Sequence, residues 1–171
     1  MNIKLYQLES SLKIFLSFFV IVLSLGIIMG LTYLSQTTSY STKKTIERFN
    51  GSQTNIDDQV IDIPDTYPKP ISEMLMTTHN HLIGFALIFF AIGLIFYFNS
   101  VISGFWKLFL MVEPLVSTIV TFASIWVMRF IAQEFVYLAA VSSALIYLSF
   151  FIMSAIIFYE LIFKKDKSTN E

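Results

Sequence analysis

The stretch IFLSFFVIVLSLGIIMGLTYL, residues 14–34, decides the fold class of this 171-residue chain. It contains no charged side chain. A helix of roughly 20 apolar residues is long enough to cross the hydrocarbon core of a bilayer. Because lipid offers the backbone no hydrogen bonds, a helix is the expected form of such a run. The sequence therefore predicts a membrane-spanning helix at this point.

Three further apolar runs follow, at 74–98, 108–131 and 135–163. None of the four runs shows the alternation of apolar and polar residues that is typical of membrane β-strands. We therefore predict an all-α polytopic membrane protein, with four transmembrane helices in an up-down bundle that forms a single membrane domain over 1–171. The first run is longer than the roughly 7–15 apolar residues of a signal peptide, so we interpret it as a retained span.

Composition excludes several classes of protein. Charged residues make up 13% of the chain, about half of the roughly 25% found in soluble domains. A net charge of −1 gives no electrostatic basis for binding nucleic acid. The chain has no cysteine, which excludes disulfide scaffolds and thiolate metal sites. Motifs for nucleophilic hydrolysis, phosphate-binding loops and zinc proteases are also missing, so no catalytic residue is predicted and an enzyme is the less favoured interpretation.

The segment 35–73 differs in composition from the spans, being rich in Ser, Thr, Asn, Asp and Pro. We interpret it as an extracytoplasmic connector with an acidic middle and a short amphipathic helix at 45–49. Lys and Arg counts favour the inner side by six residues to five when both termini are cytoplasmic. The predicted orientation therefore places both termini in the cytoplasm.

The densest polar cluster in any span is the run TTHNH at 77–81. His79 and His81 are two positions apart, so a regular helix separates them by about 200° and they cannot bind one metal ion together. In an extended segment they would share a face. On a helix, we expect His79 to face the bundle, because it shares its side with Gly93, and His81 to lie nearer lipid. His79→Leu is then expected to disturb the protein more than His81→Leu.

The polar residues expected at the outer ends of the second and third spans form a candidate ligand site. They are His79, His81, Arg129, Glu73 and Glu134. Two histidines and a carboxylate would make an open metal site. Haem or quinone is a further candidate cofactor, although two histidines on one helix do not suit bis-histidine haem ligation within one chain. The alternative is that both histidines are simply hydrogen-bonding groups at the membrane interface.

A second polar feature lies in the third span, where Glu113, Ser117, Thr121 and Ser124 recur at helical spacing. This stripe is interpreted as hydrogen bonding between helices, with the wall of a polar path as the alternative. Pro114 is expected in the first turn of the span, where proline is tolerated. Glu113 and Glu160 are expected to lie together at the inner end.

Several short motifs resemble a group of small, functionally uncharacterised bacterial four-helix membrane proteins with a T-H-x-H motif in the second span. They are PKPISE at 68–73, THNH at 78–81, FWK at 105–107, and Trp126 with Arg129. The resemblance implies the four-helix architecture and a bacterial inner membrane as the location, with both termini in the cytoplasm, and it points to His79 and His81. It implies no chemistry.

Three functions remain after these exclusions. The favoured one is a non-catalytic accessory or assembly subunit, embedded in the lipid bilayer beside a membrane-protein partner or a second copy of itself. The alternative is a redox module that binds a metal ion, haem or quinone through His79 and His81. A small oligomeric channel lined by the third span is a weaker alternative.

Overall fold

The computed structural model describes residues 3–52 and 65–164 of the chain. Over these residues the protein is helical and has no strand, which confirms the predicted fold class. A 3₁₀ turn at Leu5–Gln7 precedes five helices: α1 (Ser10–Thr38), α2 (Thr42–Asn50), α3 (Ile71–Tyr97), α4 (Gly104–Phe130) and α5 (Phe135–Ile162). Four of them, α1, α3, α4 and α5, are long and apolar enough to cross a membrane. The protein is thus a small integral membrane protein whose spans lie in lipid.

The amino-terminal turn, the loop 98–103 and the end of α5 meet at one end of the bundle. The backbone N–H of Leu5 donates to the carbonyl of Phe98 at 3.2 Å, and the ammonium of Lys164 lies 4.9 Å from the ring centre of Tyr6. We call this end the loop end and the opposite one the α2 end. Since α1 and α4 begin at the loop end while α3 and α5 finish there, the spans run up and down.

Helix α5 is the central element of the bundle. It packs along α4 most extensively and also contacts α1 and α3. Its inward residues Ile146, Phe150, Met153 and Ile157 are almost completely buried. Lipid tails are as apolar as these side chains, so close packing, rather than exclusion of water, favours their contact.

Helix α1 is the most peripheral span. Only 11% of its apolar segment is buried, against 39% in α4 and in α5. A groove of about 500 Å³ opens between α1 and α5. Its lining is apolar except for Ser24, Ser154 and the phenol group of Tyr159. Helix α1 is therefore held to the bundle along a narrow contact with α5.

Helix α2 lies at the α2 end and contacts α1, α4 and α5. It is longer than the helix expected at 45–49. Gly51 ends it with a φ of 85°, and a Cβ at this position would come within 2.8 Å of the Pro68 side chain. The N–H of Lys69 also donates to the carbonyl of Phe49 at 3.0 Å. These contacts fix α2 against 65–70, while the acidic middle of the connector falls outside the described residues.

The start of α4 corrects one expectation from the sequence. The helix begins at Gly104 instead of near 108, so Pro114 lies inside it and not in its first turn. Proline has no N–H to donate four residues back, which leaves the carbonyl of Leu110 without its usual helical donor. Glu113 is consequently more than two turns into the helix.

Candidate functional site

The two histidines lie on a regular helix near the α2 end. The run 77–81 is helical throughout, within α3, which rules out the extended segment in which they would share a face. Nδ1 of His81 is 2.8 Å from the carbonyl oxygen of Thr77. A carbonyl can only accept, so Nδ1 carries the hydrogen. A neutral His81 then keeps its free lone pair on Nε2.

The expected facing of the two histidines is wrong. The ring of His81 lies 5.3 Å from that of Phe122 on α4 and 6.0 Å from that of Phe85 on its own helix. Both histidine side chains are exposed, and His79 lies on another side of α3. Gly93 is buried, but it lies about four turns further along α3 than His79. Ala86, about two turns from His79 on the same side, is exposed. The exposed His81 side chain therefore contacts α4 at the edge of the bundle, whereas no described contact joins His79 to another helix.

A polar contact between α3 and α4 lies next to His81. The indole N–H of Trp126 donates to the hydroxyl of Thr78 at 2.9 Å. Thr78 lies three positions before His81 and therefore on the same side of α3. Trp126 thus joins two helices near their ends, in addition to any role at the membrane interface.

The structure does not assemble the predicted five-residue ligand site. Among the described residues, no group of three or more His, Asp or Glu side chains is placed to hold a metal ion. No described hydrogen bond or ion pair links either histidine to Arg129, Glu73 or Glu134. The guanidinium of Arg129 lies 5.1 Å from the ring centre of Phe130, and its Nε is buried without a described partner. The surroundings of His81 are aromatic rather than anionic.

The polar stripe of α4 is buried against α5. Its four members, Glu113, Ser117, Thr121 and Ser124, are all buried. The hydroxyls of Thr121 and Ser142 lie 2.7 Å apart across the interface. Glu113 receives a hydrogen bond from Ser149 of α5 at its Oε2, and another from Ser117 at its Oε1, both at 2.5 Å. The stripe joins the two helices by hydrogen bonds.

Glu113 and Glu160 do not lie together, contrary to expectation. Glu160 is completely buried at the loop end, where its Oε1 accepts from the backbone N–H and the hydroxyl of Ser100, both at 2.6 Å. The ammonium of Lys164 is 3.9 Å from the same oxygen. Glu113 instead pairs with Ser149, about 16 Å back along α5 at 1.5 Å per residue. Each carboxyl group has its own hydroxyl partners.

Sequence reasoning missed the contribution of loop 98–103. The Asn99 side chain is fully buried; its Oδ1 accepts from the N–H groups of Val101 and Ile102 at 3.1 and 2.8 Å. Lys107 donates to the carbonyls of Tyr97 and Asn99 at 2.9 Å. The Asn-Ser pair between two apolar runs was a turn signal, but nothing in its spacing indicated that a glutamate 60 residues later would bind it.

The region of the chain that matches a known family begins where α1 ends. A family model described as a transmembrane helical domain matches residues 39–168. The matched segment begins directly after α1 and contains α2 to α5. No curated protein and no solved structure matches the chain. Because the match covers more than half of the chain, the protein belongs to the Aq_1264_TM family of transmembrane helical domains.

Proposed function

We propose that the protein is a non-catalytic accessory subunit of a membrane complex, and that the lipid-facing side of α1 binds a transmembrane helix of a partner protein. One observation carries this proposal. Helix α1 is long enough to span the membrane, yet it buries only 11% of its apolar segment within its own chain. A span with so little internal packing has most of its surface available for another helix.

The exposed side of α1 suits close approach by a helix. Gly26 and Gly30 form a G-x-x-x-G pair, and a Cβ built at either position meets nothing within 4 Å. Such pairs allow two backbones to approach closely in membranes. Val22, Met29 and Tyr33 are exposed beside them. The pair is therefore unused in packing among the described residues of this chain.

The extent of the family match supports separate roles for α1 and for the other three spans. The matched segment contains the spans that pack most closely on one another, α3, α4 and α5, while α1 lies before it. The bundle of α3 to α5 then serves as the body of the subunit, and α1 as the helix that binds the partner.

The test uses the absence of cysteine from the chain. Single-cysteine variants Val22→Cys and Met29→Cys place a thiol beside the Gly26–Gly30 pair, and Leu87→Cys places an equally exposed thiol on α3. Each variant is expressed in its native host and treated with a thiol-directed crosslinker in intact membranes. We expect one heterologous adduct from the α1 variants and none from Leu87→Cys.

Two outcomes would contradict the proposal. Equal adduct patterns from α1 and α3 thiols would show random encounters in the membrane. An adduct with twice the mass of the chain would show a homo-oligomer instead of an accessory subunit. As a further check, Gly26→Ile with Gly30→Ile should abolish the heterologous adduct while leaving the thermal stability of the purified chain unchanged, because both positions face open space.

The other functions considered from the sequence have weaker support. A metal, haem or quinone site would rest on Nε2 of His81, which faces aromatic rings, and on His79, which faces elsewhere. A channel along α4 would require the polar stripe to line a path, whereas its side chains are buried against α5.

We also propose a bacterial inner membrane as the location, with both termini and the loop end in the cytoplasm and the connector outside. Lys13, Lys107 and Lys164 all bind backbone or hydroxyl oxygens at the loop end. Lysines near the ends of spans weigh most in the positive-inside rule. Lys13 and Lys107 lie in the first turns of α1 and α4, and Lys164 follows the end of α5.

A further inference from the structure

We propose that the groove between α1 and α5 binds one anionic phospholipid, with an acyl chain in the groove and the phosphate group at Lys13 and Lys164. The juxtaposition that carries this inference is an apolar groove of about 500 Å³, whose α5 side reaches Phe163, and two ammonium groups at the loop end. The proposal is independent of the accessory role argued above, because Gly26 and Gly30 do not line the groove.

The groove has the length and the lining that an acyl chain needs. On α5 its lining residues run from Phe151 to Phe163, about 18 Å along the helix axis. One leaflet of the hydrocarbon core, half of roughly 30 Å, is about as thick. Apolar side chains of α1, among them Val20 and Leu25, form the opposite wall. A single acyl chain that enters from the loop end can therefore lie in the groove over most of one leaflet.

The α1 side of the groove continues toward Lys13. Val20 and Ser24 line the groove, and Lys13 precedes them by seven and eleven positions. This spacing places all three on one side of the helix. Lys13 lies in the first turn of α1, at the loop end. A lipid whose chain follows this side of α1 therefore has its headgroup at the level of Lys13.

The ammonium groups of Lys13 and Lys164 converge on Tyr6. Nζ of Lys13 donates to the carbonyl of Tyr6 at 2.5 Å, and Nζ of Lys164 lies 4.9 Å from the centre of the Tyr6 ring. Lys164 directly follows Phe163, the last residue that lines the groove. Its charge is offset in part by Glu160, at 3.9 Å. Lys13 is therefore the main cation at this end of the groove.

Lys13 has no acidic partner in the described part of the chain. No carboxylate oxygen there lies within 4.0 Å of its ammonium group. Glu9, about one turn earlier, accepts from the hydroxyl of Ser11 at 2.9 Å instead. An ammonium group has three donors, so Lys13 can bind an anion while it keeps its bond to the backbone. Basic groups between membrane helices on the cytoplasmic side bind anionic lipid headgroups, and the orientation proposed above places the loop end on that side.

An anionic phospholipid fits both parts of the site. A soluble anion would leave the groove unfilled, and an uncharged lipid would leave Lys13 without an anion. A bound acyl chain would also contact both α1 and α5, and so add to the narrow contact that holds α1 to the bundle. The occupant is therefore expected to stabilise the protein as well as to bind it.

Fluorescence quenching by phospholipids with brominated acyl chains tests the proposal. Phe158→Trp places an indole in the groove, and Phe90→Trp places one at an exposed position of α3. Both carry Trp106→Phe, and the chain with Trp106→Phe alone gives the contribution of Trp126. Each purified full-length variant is reconstituted in phosphatidylcholine vesicles that contain rising fractions of brominated phosphatidylglycerol or brominated phosphatidylcholine with the same chains.

We expect phosphatidylglycerol to quench the indole of Phe158→Trp at about a fivefold lower fraction than phosphatidylcholine, the preference that one lysine gives for an anionic headgroup. Both lipids should quench Phe90→Trp alike. Lys13→Gln should remove the preference at Phe158→Trp, and Lys44→Gln, which alters an exposed lysine at the α2 end, should retain it.

Three outcomes would overturn the proposal. An equal preference at Phe90→Trp would show that anionic lipid surrounds the whole protein. A preference that persists in Lys13→Gln would place the phosphate group elsewhere. Weak quenching of Phe158→Trp by both lipids would show that a second copy of the chain covers the groove.

Thermal unfolding in detergent gives a second measurement that needs no added tryptophan. Phosphatidylglycerol should raise the unfolding temperature of the delipidated wild type more than phosphatidylcholine does. Ala155→Phe fills the groove and should abolish this difference. Ala140→Phe is the matched control, because it alters an exposed alanine of α5 outside the groove, and it should retain the difference. Equal rises with the two lipids in the wild type, or an unaltered difference in Ala155→Phe, would contradict a lipid site in the groove.

Discussion

Glu160 and Ser100, 60 residues apart in sequence, form the polar contact that closes the loop end of the bundle. One carboxylate oxygen accepts both the backbone N–H and the hydroxyl of Ser100 at 2.6 Å. Lys164 donates to the same hydroxyl at 2.6 Å. A completely buried glutamate at the end of α5 thus accepts the backbone N–H of Ser100, which has no helical acceptor, while Asn99 accepts those of Val101 and Ile102. The end of one span thereby fixes the connection between two others.

Removing this carboxylate should destabilise the protein substantially. Glu160→Ala leaves the N–H of Ser100 without its acceptor and opens a cavity, so we expect a loss of about 2–3 kcal/mol in the free energy of unfolding. Lys164 is partly exposed and can be solvated, which limits the loss. Thermal unfolding in detergent measures the effect. Glu134→Ala is the control, since Glu134 is exposed and its side chain has no described partner. Comparable losses of stability in both variants would contradict a stabilising contact between Glu160 and Ser100.

Substitution of the two histidines should lower the stability of the protein in the opposite order to that expected from the sequence alone. His81→Leu removes the hydrogen bond to the Thr77 carbonyl and the ring contact with Phe122, which we expect to cost about 1 kcal/mol. His79→Leu changes an exposed side chain that has no described contact with another helix, and it should leave stability almost unaltered. Chemical unfolding of the two variants beside the wild type gives the comparison, and a larger loss in His79→Leu would reverse the facing seen here.

These two cases show what a single sequence can and cannot provide. The four spans could be predicted because the length of an apolar run is a local property of the sequence. It does not depend on which residues pack against the run in the folded protein. The inward side of α3 depends on where Phe122 of α4 lies, so composition around His79 and His81 was misleading. The bond between Glu160 and Ser100 depends on how three spans converge, and local spacing carries no information about it.

The orientation proposed for the bundle predicts which thiols are accessible from outside the cell. Tyr67→Cys lies on the exposed part of the connector, and Ser103→Cys lies at the exposed start of α4. We expect a membrane-impermeant maleimide to label Tyr67→Cys in intact cells or spheroplasts, and Ser103→Cys only after the membrane is opened. The reverse pattern would place the termini outside.

Trp126 reports on the contact between α3 and α4. Thr78→Val removes the acceptor of its indole N–H while keeping the shape of the side chain, so we expect a shifted emission spectrum and a loss of about 1 kcal/mol in stability. Trp106 is the other tryptophan and is exposed, so the experiment uses a Trp106→Phe background. Unchanged emission and stability in Thr78→Val would mean that the indole N–H of Trp126 does not bond to the hydroxyl of Thr78.

The hydroxyl pair Thr121–Ser142 allows the α4–α5 interface to be measured directly. Their oxygens are 2.7 Å apart and both side chains are buried. Hydrogen bonds between membrane helices contribute about 0.6 kcal/mol on average, and Ser142 also bonds the Leu138 carbonyl of its own helix. In a double-mutant cycle of Thr121→Val and Ser142→Ala, we therefore expect a coupling energy of about 0.5–1 kcal/mol, measured by unfolding in mixed micelles. Additive losses would show that the two hydroxyls bond only to their own helices. The remaining stability of the interface would then come from packing and from the bonds of Glu113.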